Sequence, residues 1–227
     1  MPTLKEISYN ILNLYQGGRG NDDYALSLRQ IEFWVKYYRE VIIKQQDDKD
    51  RTLDSVLLQD LGCVPMVLVD SAECCEITTC DRVLRTKDKI PQPITLSYNE
   101  AFTYVGSIDF KNPFQKIATT HIPFVNYDKY IGKLKKWYYK DGYIYIVNDL
   151  YMDFIKVVGV FYDPTEIAKY KQCGNGNSCY DDNTQYPISG YMVQLITQLI
   201  LEKELNIVVK LKEDIENNAK DDSSGKN

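Results

Sequence analysis

Two periods of apolar residues divide this chain, and each predicts its own kind of element. In the N-terminal stretch Leu4, Ile7, Ile11 and Leu14 recur at spacings of three and four, which puts them on one helical face. Thr3 and Glu6 form the TxxE capping-box pattern at its start. The polar, glycine-bearing run QGGRGNDD then breaks the helix. A second helix is expected from about Ser27, with Leu28, Ile31, Val35, Tyr38 and Ile42 as its apolar stripe, until it ends in QQDDKDR. Residues 1–55 therefore read as an N-terminal helical hairpin.

Beyond that point the period falls to two. VPMVLVD reads as a strand, ITLSY and TYVGSIDF as shorter ones, with the Pro-rich KIPQP as a connection. WYYKDGYIYIV is the clearest hairpin, because Asp141-Gly142 has the chemistry of a two-residue type I′ turn. That turn sets Lys140 opposite Tyr143, Tyr139 opposite Ile144 and Trp137 opposite Ile146, so Trp137, Tyr139, Ile144 and Ile146 share the core face. Tyr138, Lys140, Tyr143 and Tyr145 fall on the other. FIKVVGVF, Phe154 to Phe161, is apolar at both parities and is expected to be central. Asp163-Pro164-Thr165-Glu166 combines an N-cap, a first-turn proline and an acid, starting a short helix to about Lys171. After the irregular loop CGNGNSCYDDNTQYP, a last helix is expected from about Ile188 to Leu205, with Ile188, Met192, Leu195, Ile196 and Leu199 inward. The final stretch has one large apolar residue, Ile215, whose burial cannot offset the entropy of ordering its neighbours. The fold class is thus α+β: a helical hairpin, an antiparallel β-rich body over 56–211 with a tyrosine-rich hairpin and a C-terminal helix, and a disordered acidic tail over 212–227.

Composition narrows the function. Of 227 residues, 44% are apolar and 26% charged, enough to bury a core, while a net charge of −5 gives no bulk attraction to nucleic acid or anionic membrane. No apolar run approaches the roughly 18 residues of a spanning helix, and the N-terminus lacks a signal pattern, so synthesis and folding in the cytosol are expected. The single histidine, His121, sits in ATTHIPF at an expected strand end and reads as structural, and a Ser-His-Asp triad, a Cys-His pair or a multi-histidine metal site would all depend on it. No P-loop, Rossmann, HExxH or GxSxG motif occurs. No catalytic, metal-binding or cofactor-binding residue is therefore assigned, and no cofactor is expected. Six cysteines, Cys63, Cys74, Cys75, Cys80, Cys173 and Cys179, lack CxxC spacing and read as free thiols.

Tyrosine is abundant instead, with 19 residues. Its ring is apolar and its hydroxyl tolerates water, which suits protein interfaces. Arg19, Trp34, Tyr37, Tyr138, Tyr143 and Tyr145 are the candidate interface residues. KYIGKLKKWYYK sets Lys129, Lys133, Lys135, Lys136 and Lys140 beside Trp137, a basic-aromatic mixture that suits a nucleic-acid strand or a partner protein. A solvated helix-to-strand junction is the simpler reading there. GGRG at 17–20 lacks the strand and the Lys-Ser/Thr of a phosphate loop and reads as an interhelical turn.

The stretch LKEISYNILNLYQGGRGNDDYALSLRQIEFWVKYYREVII resembles the opening of a structural protein of crAss-like bacteriophages of gut Bacteroidales. The resemblance continues through LLQDLGC, SAECC, NEAFTYVG, NYDKYIGK and ENNAKDD and so covers most of the chain. It implies a virion component that is not an enzyme: a ring protein at the head–tail junction, assembled in the host cytoplasm. It further implies partners in copies of itself, roughly twelve by analogy with portal symmetry, in the portal protein and in the next tail ring or collar protein. Genomic DNA would pass through the lumen without sequence-specific contact, and no membrane would be involved. The alternatives are a nucleic-acid-binding protein using the run from Lys129 to Lys140, or another tail or collar component.

Overall fold

The computed structural model describes residues 2–17, 26–49, 52–71, 82–97, 100–127, 133–170 and 184–205. In chain order the elements are α1 (Leu4–Tyr15), α2 (Leu28–Asp47), β1 (Gln59–Asp70), β2 (Arg82–Thr86), β3 (Phe102–Gly106), β4 (Gln115–Lys116), β5 (Lys136–Lys140) and β6 (Tyr143–Val147). They continue with β7 (Phe154–Gly159), α3 (Pro164–Tyr170) and α4 (Gly190–Leu199), which runs on as a π-helical segment, Ile200–Leu205. Arg19, Lys129, the tail from 212, and Cys74, Cys75, Cys80, Cys173 and Cys179 lie outside the described residues. The chain divides into two compact units, one of Met1–Val56 with Asp182–Asn227 and one of Leu57–Asp181.

In the helical unit, both halves of the capping box are made: the Thr3 amide donates to Glu6 Oε2 at 2.8 Å, and the Glu6 amide to Thr3 Oγ1 at 3.1 Å. Ser27 caps α2 by accepting the Gln30 amide at 3.2 Å. The stripe of α2 is buried at Ile31, Val35, Tyr38, Ile42 and Ile43. On α1, Ile7 and Ile11 are buried, but Leu14, expected on the same face, is exposed in the last turn, one residue before the helix ends. The C-terminal helix, expected with the β-rich body, packs against α2 instead, and its π segment against α1. The chain entering α4 pairs with the start of α1, where the Tyr186 amide donates to the Pro2 carbonyl at 3.1 Å. Met192, Ile196 and Ile200 are buried at spacings of four, and Leu205 follows after five. In a regular α-helix a residue five positions on falls roughly 140° away. The i→i+5 turn of the π segment returns Leu205 to the buried face. Leu195, expected inward, is exposed.

The β unit is a seven-stranded sheet in the order β3-β7-β1-β2-β6-β5-β4. Every pairing is antiparallel except β4–β5, whose parallel direction requires the long crossover that carries the 3₁₀ helix Thr119–Tyr127. The sheet's two edges also meet. The Phe114 amide, just before β4, donates to Val105 of β3 at 2.8 Å, the Ser107 amide donates to Asn112 at 3.0 Å, and Gly106 bridges to Pro113. The strands thus close into a small barrel, filled by side chains. Leu61, Val64, Leu84, Val105, Phe114, Trp137, Ile144, Ile146, Ile155, Val157 and Phe161 form the filling. Phe102 meets Trp137 edge-on across the interior at a centroid distance of 5.3 Å.

Several expected elements shift. The first strand begins at Gln59, earlier than VPMVLVD, and bulges between Asp60 and Cys63. There Gly62 takes φ +80° and its amide donates to Asp60 Oδ1 at 2.7 Å. ITLSY makes no strand: Ile94 is buried and Thr95 bridges only to Glu100. TYVGSIDF turns away at Gly106. His121 is exposed in the 3₁₀ helix rather than at a strand end. Pro123, with no N–H to give a ladder, lies inside that helix. FIKVVGVF is interior, bonded to β1 and β3; Ile155 and Val157 are buried on one face of β7, Val160 and Phe161 are buried just beyond its end, and Phe154 is exposed. Asp163 starts α3 as expected, its carboxylate accepting the Thr165 amide at 3.0 Å.

Candidate protein-interaction surface

The hairpin register is the expected one, with Trp137 opposite Ile146, Tyr139 opposite Ile144 and Lys140 opposite Tyr143. Asp141 and Gly142 both take positive φ, +54° and +89°, as a type I′ turn requires. Trp137, Ile144 and Ile146 are buried, and the Trp137 indole N–H donates to the Phe114 carbonyl at 3.1 Å, tying β5 to the seam where the barrel closes. On the outer wall the rings of Tyr138 and Tyr145 stack at 4.9 Å with an interplanar angle of 4°. The Arg85 guanidinium lies 4.1 Å from the Tyr143 centroid. Burial, with the neighbouring Tyr145, raises the pKa of Tyr138. These three candidate residues are half-buried and largely engaged with this chain's own groups. In the helical unit, Trp34 is half-buried on α2, while Tyr37 is exposed and sets its ring edge-on to Tyr38 at 5.3 Å.

The lysine run is dispersed. Lys133 and Lys140 are exposed, but Lys136 retains only 4% exposure. Lys135 is held by Asp149 at 2.5 Å, with its ammonium 5.8 Å from the Phe114 centroid. Burial pushes the Asp149 carboxyl up, but the Lys135 hydrogen bond and charge and the Tyr151 amide outweigh it and hold the pKa below the usual carboxylate range.

Sequence periodicity missed an exposed apolar surface of the β unit. β3 ends, and β4, β5 and β7 begin, at one end of the barrel. The connections there expose Ile108, Phe110, Leu134, Leu150, Tyr151 and Phe154, with Tyr151 94% accessible. They are drawn together by local contacts. The Asn148 side chain donates to the Leu134 carbonyl at 3.1 Å, and the Tyr151 amide to Asp149 at 2.9 Å. Lys156 lies 5.3 Å from the Phe110 centroid. Leu134, Met152, Ser107, Asn112 and Pro113 line a common groove of about 460 Å³. Three lysines of this end have acidic partners: Lys135 with Asp149, Lys111 with Asp109 at 3.7 Å, and Lys156 with Asp60 at 2.6 Å; Lys133, exposed, lines the groove as well. The signal in the sequence was NDLYMDF, apolar residues in a short link between strands, where a period of two has no meaning.

Among the described residues no group of three or more His, Cys, Asp or Glu side chains could hold a metal ion, and no helix is long and apolar enough to cross a membrane. Cys63 is exposed as a free thiol. An exposed apolar end of this kind marks a site of contact with other proteins. Residues 6–223 match the family described as phage tail ring protein 2, and the chain belongs to that family, the ring proteins of crAss-like phages. It is a structural component of the virion tail, a class that is not enzymatic. No curated protein matches the sequence.

Proposed function

We propose that the protein forms a closed homo-oligomeric ring at the portal vertex, docking on the portal and carrying the next tail ring, while the genome passes through its lumen. The observation that carries this reading is the family match over 6–223. About twelve copies are expected by analogy with portal symmetry. A conduit should not grip DNA, and a net charge of −5 with Lys135 paired and Lys136 buried suits that requirement better than a nucleic-acid groove does. Assembly takes place in the host cytoplasm, on a portal template. Sedimentation of purified protein with and without portal tests the reading: the free protein should run as a folded, weakly associated species and convert to a ring when portal is added. A protein that never binds portal contradicts the role, and DNA binding that weakens steeply with salt supports the alternative.

A further inference from the structure

We infer that the apolar end of the barrel, formed by Ile108, Phe110, Leu134, Leu150, Tyr151 and Phe154, is one half of the contact between neighbouring copies in the ring. The inference rests on the ring reading above and names the surface that reading leaves open. Six side chains exposing about half of ~200 Å² each offer on the order of 600 Å². That lies at the upper end of patches found on monomers, roughly 300–600 Å². It is also most of the ~800 Å² per partner of a standard interface. Exposed fractions from 45% to 94% make the residues available without rearrangement of the barrel.

Charge selects the occupant. Lys135, Lys111 and Lys156 are matched by Asp149, Asp109 and Asp60, and Lys133 is the exposed lysine of the groove outside those pairs, so the surface offers a phosphate backbone far less charge than its lysine content suggests. Apolar area with paired charges fits another protein surface, and in a ring the surface every subunit meets is that of the next copy. The outer-wall tyrosines are weaker candidates, since Tyr138 and Tyr145 are stacked on each other and Tyr143 lies under Arg85.

A closed ring of more than two subunits needs a heterologous contact, in which the patch of one copy meets a different surface of the next. A subunit with a damaged patch therefore keeps an intact complementary surface. It can join a growing arc and then stop it.

The test compares wild-type full-length protein with Leu150→Asp/Tyr151→Asp and with the milder Tyr151→Ser, on the portal template. Both variants should show the wild-type circular dichroism spectrum. The double variant should reduce closed rings at least tenfold, Tyr151→Ser severalfold, and a minor fraction of the double variant mixed with wild type should block closure in excess of its share. Variants that close rings like wild type overturn the inference alone, as do variants that close rings but lose the next tail component. If the double variant unfolds, Tyr151→Ser decides the matter by the same ring measurement. Wild-type protein that never closes a ring overturns the ring reading itself, and this inference with it.

Discussion

Tyr38 shows how one hydroxyl can tie distant parts of the chain together. Its O–H donates to Glu204 at 2.6 Å, joining α2 to the π segment of the last helix. Burial, then the hydrogen bond and negative charge of Glu204, push its pKa well above the ordinary 10.0. The folded form therefore resists ionisation more than the unfolded chain. The stabilisation is complete below about pH 10 and is lost as pH rises from there toward the folded pKa. Tyr38→Phe should cost about 1–3 kcal/mol at neutral pH, the range for a hydrogen bond to a charged partner, and should flatten the alkaline fall in melting temperature. Thermal melts across that range measure both effects. Asp149 works in the opposite direction. Its pKa is held low, so the stability from its pair with Lys135 is present above the ordinary carboxylate range and disappears as pH drops below about 4. Hydrogen exchange of residues 148–152 should accelerate on that acid step in the wild type and lose the step in Asp149→Asn.

The hairpin and the seam carry the β unit as elements, and each hangs on a glycine. Gly142 sits at φ +89°, where a side-chain-bearing residue is strained, so Gly142→Val should destabilise the fold by about 1–2 kcal/mol in denaturant titration. At Gly106 a Cβ would run into the Asn112 carbonyl and the Tyr104 ring, where the seam joins β3 to the chain entering β4. Gly106→Ala should cost about 1–3 kcal/mol by overpacking and open that seam to exchange first. What was legible in the sequence was local. The capping box, the α2 stripe, the Asp141-Gly142 register and the start of α3 are each set within a few residues, and each is present. Barrel closure depends on Gly106 meeting Pro113 and on Trp137 reaching Phe114, contacts no periodicity encodes. The partner of the last helix was illegible for the same reason. So was the burial of Arg39, whose Nε donates to the Pro187 carbonyl at 3.1 Å and whose guanidinium lies 5.7 Å from the Tyr186 ring. The lysine run looked like one feature in sequence, but Lys135, just before β5, pairs with Asp149, and Lys136, on the outer parity of β5, is buried where it lines a groove with Phe124 and Val125 of the 3₁₀ crossover, a long-range contact that no periodicity encodes.

At the scale of the whole molecule, the chain returns to its N-terminal helices after completing a barrel, so each unit has its own core, and the two edges of the sheet meet where Val105 accepts the Phe114 amide. Closure at that seam covers part of both edge strands and so favours side-chain surfaces, chiefly the apolar end, over strand addition for barrel-to-barrel contacts. That construction suits a structural ring protein of the tail of crAss-like phages. The most direct measurement is a cryo-electron microscopy reconstruction of the portal vertex in purified virions. The account predicts this chain there as a closed ring of about twelve copies seated against the portal, with DNA density in the lumen. Absence of the chain from virions, or its presence only away from the portal axis, would contradict it.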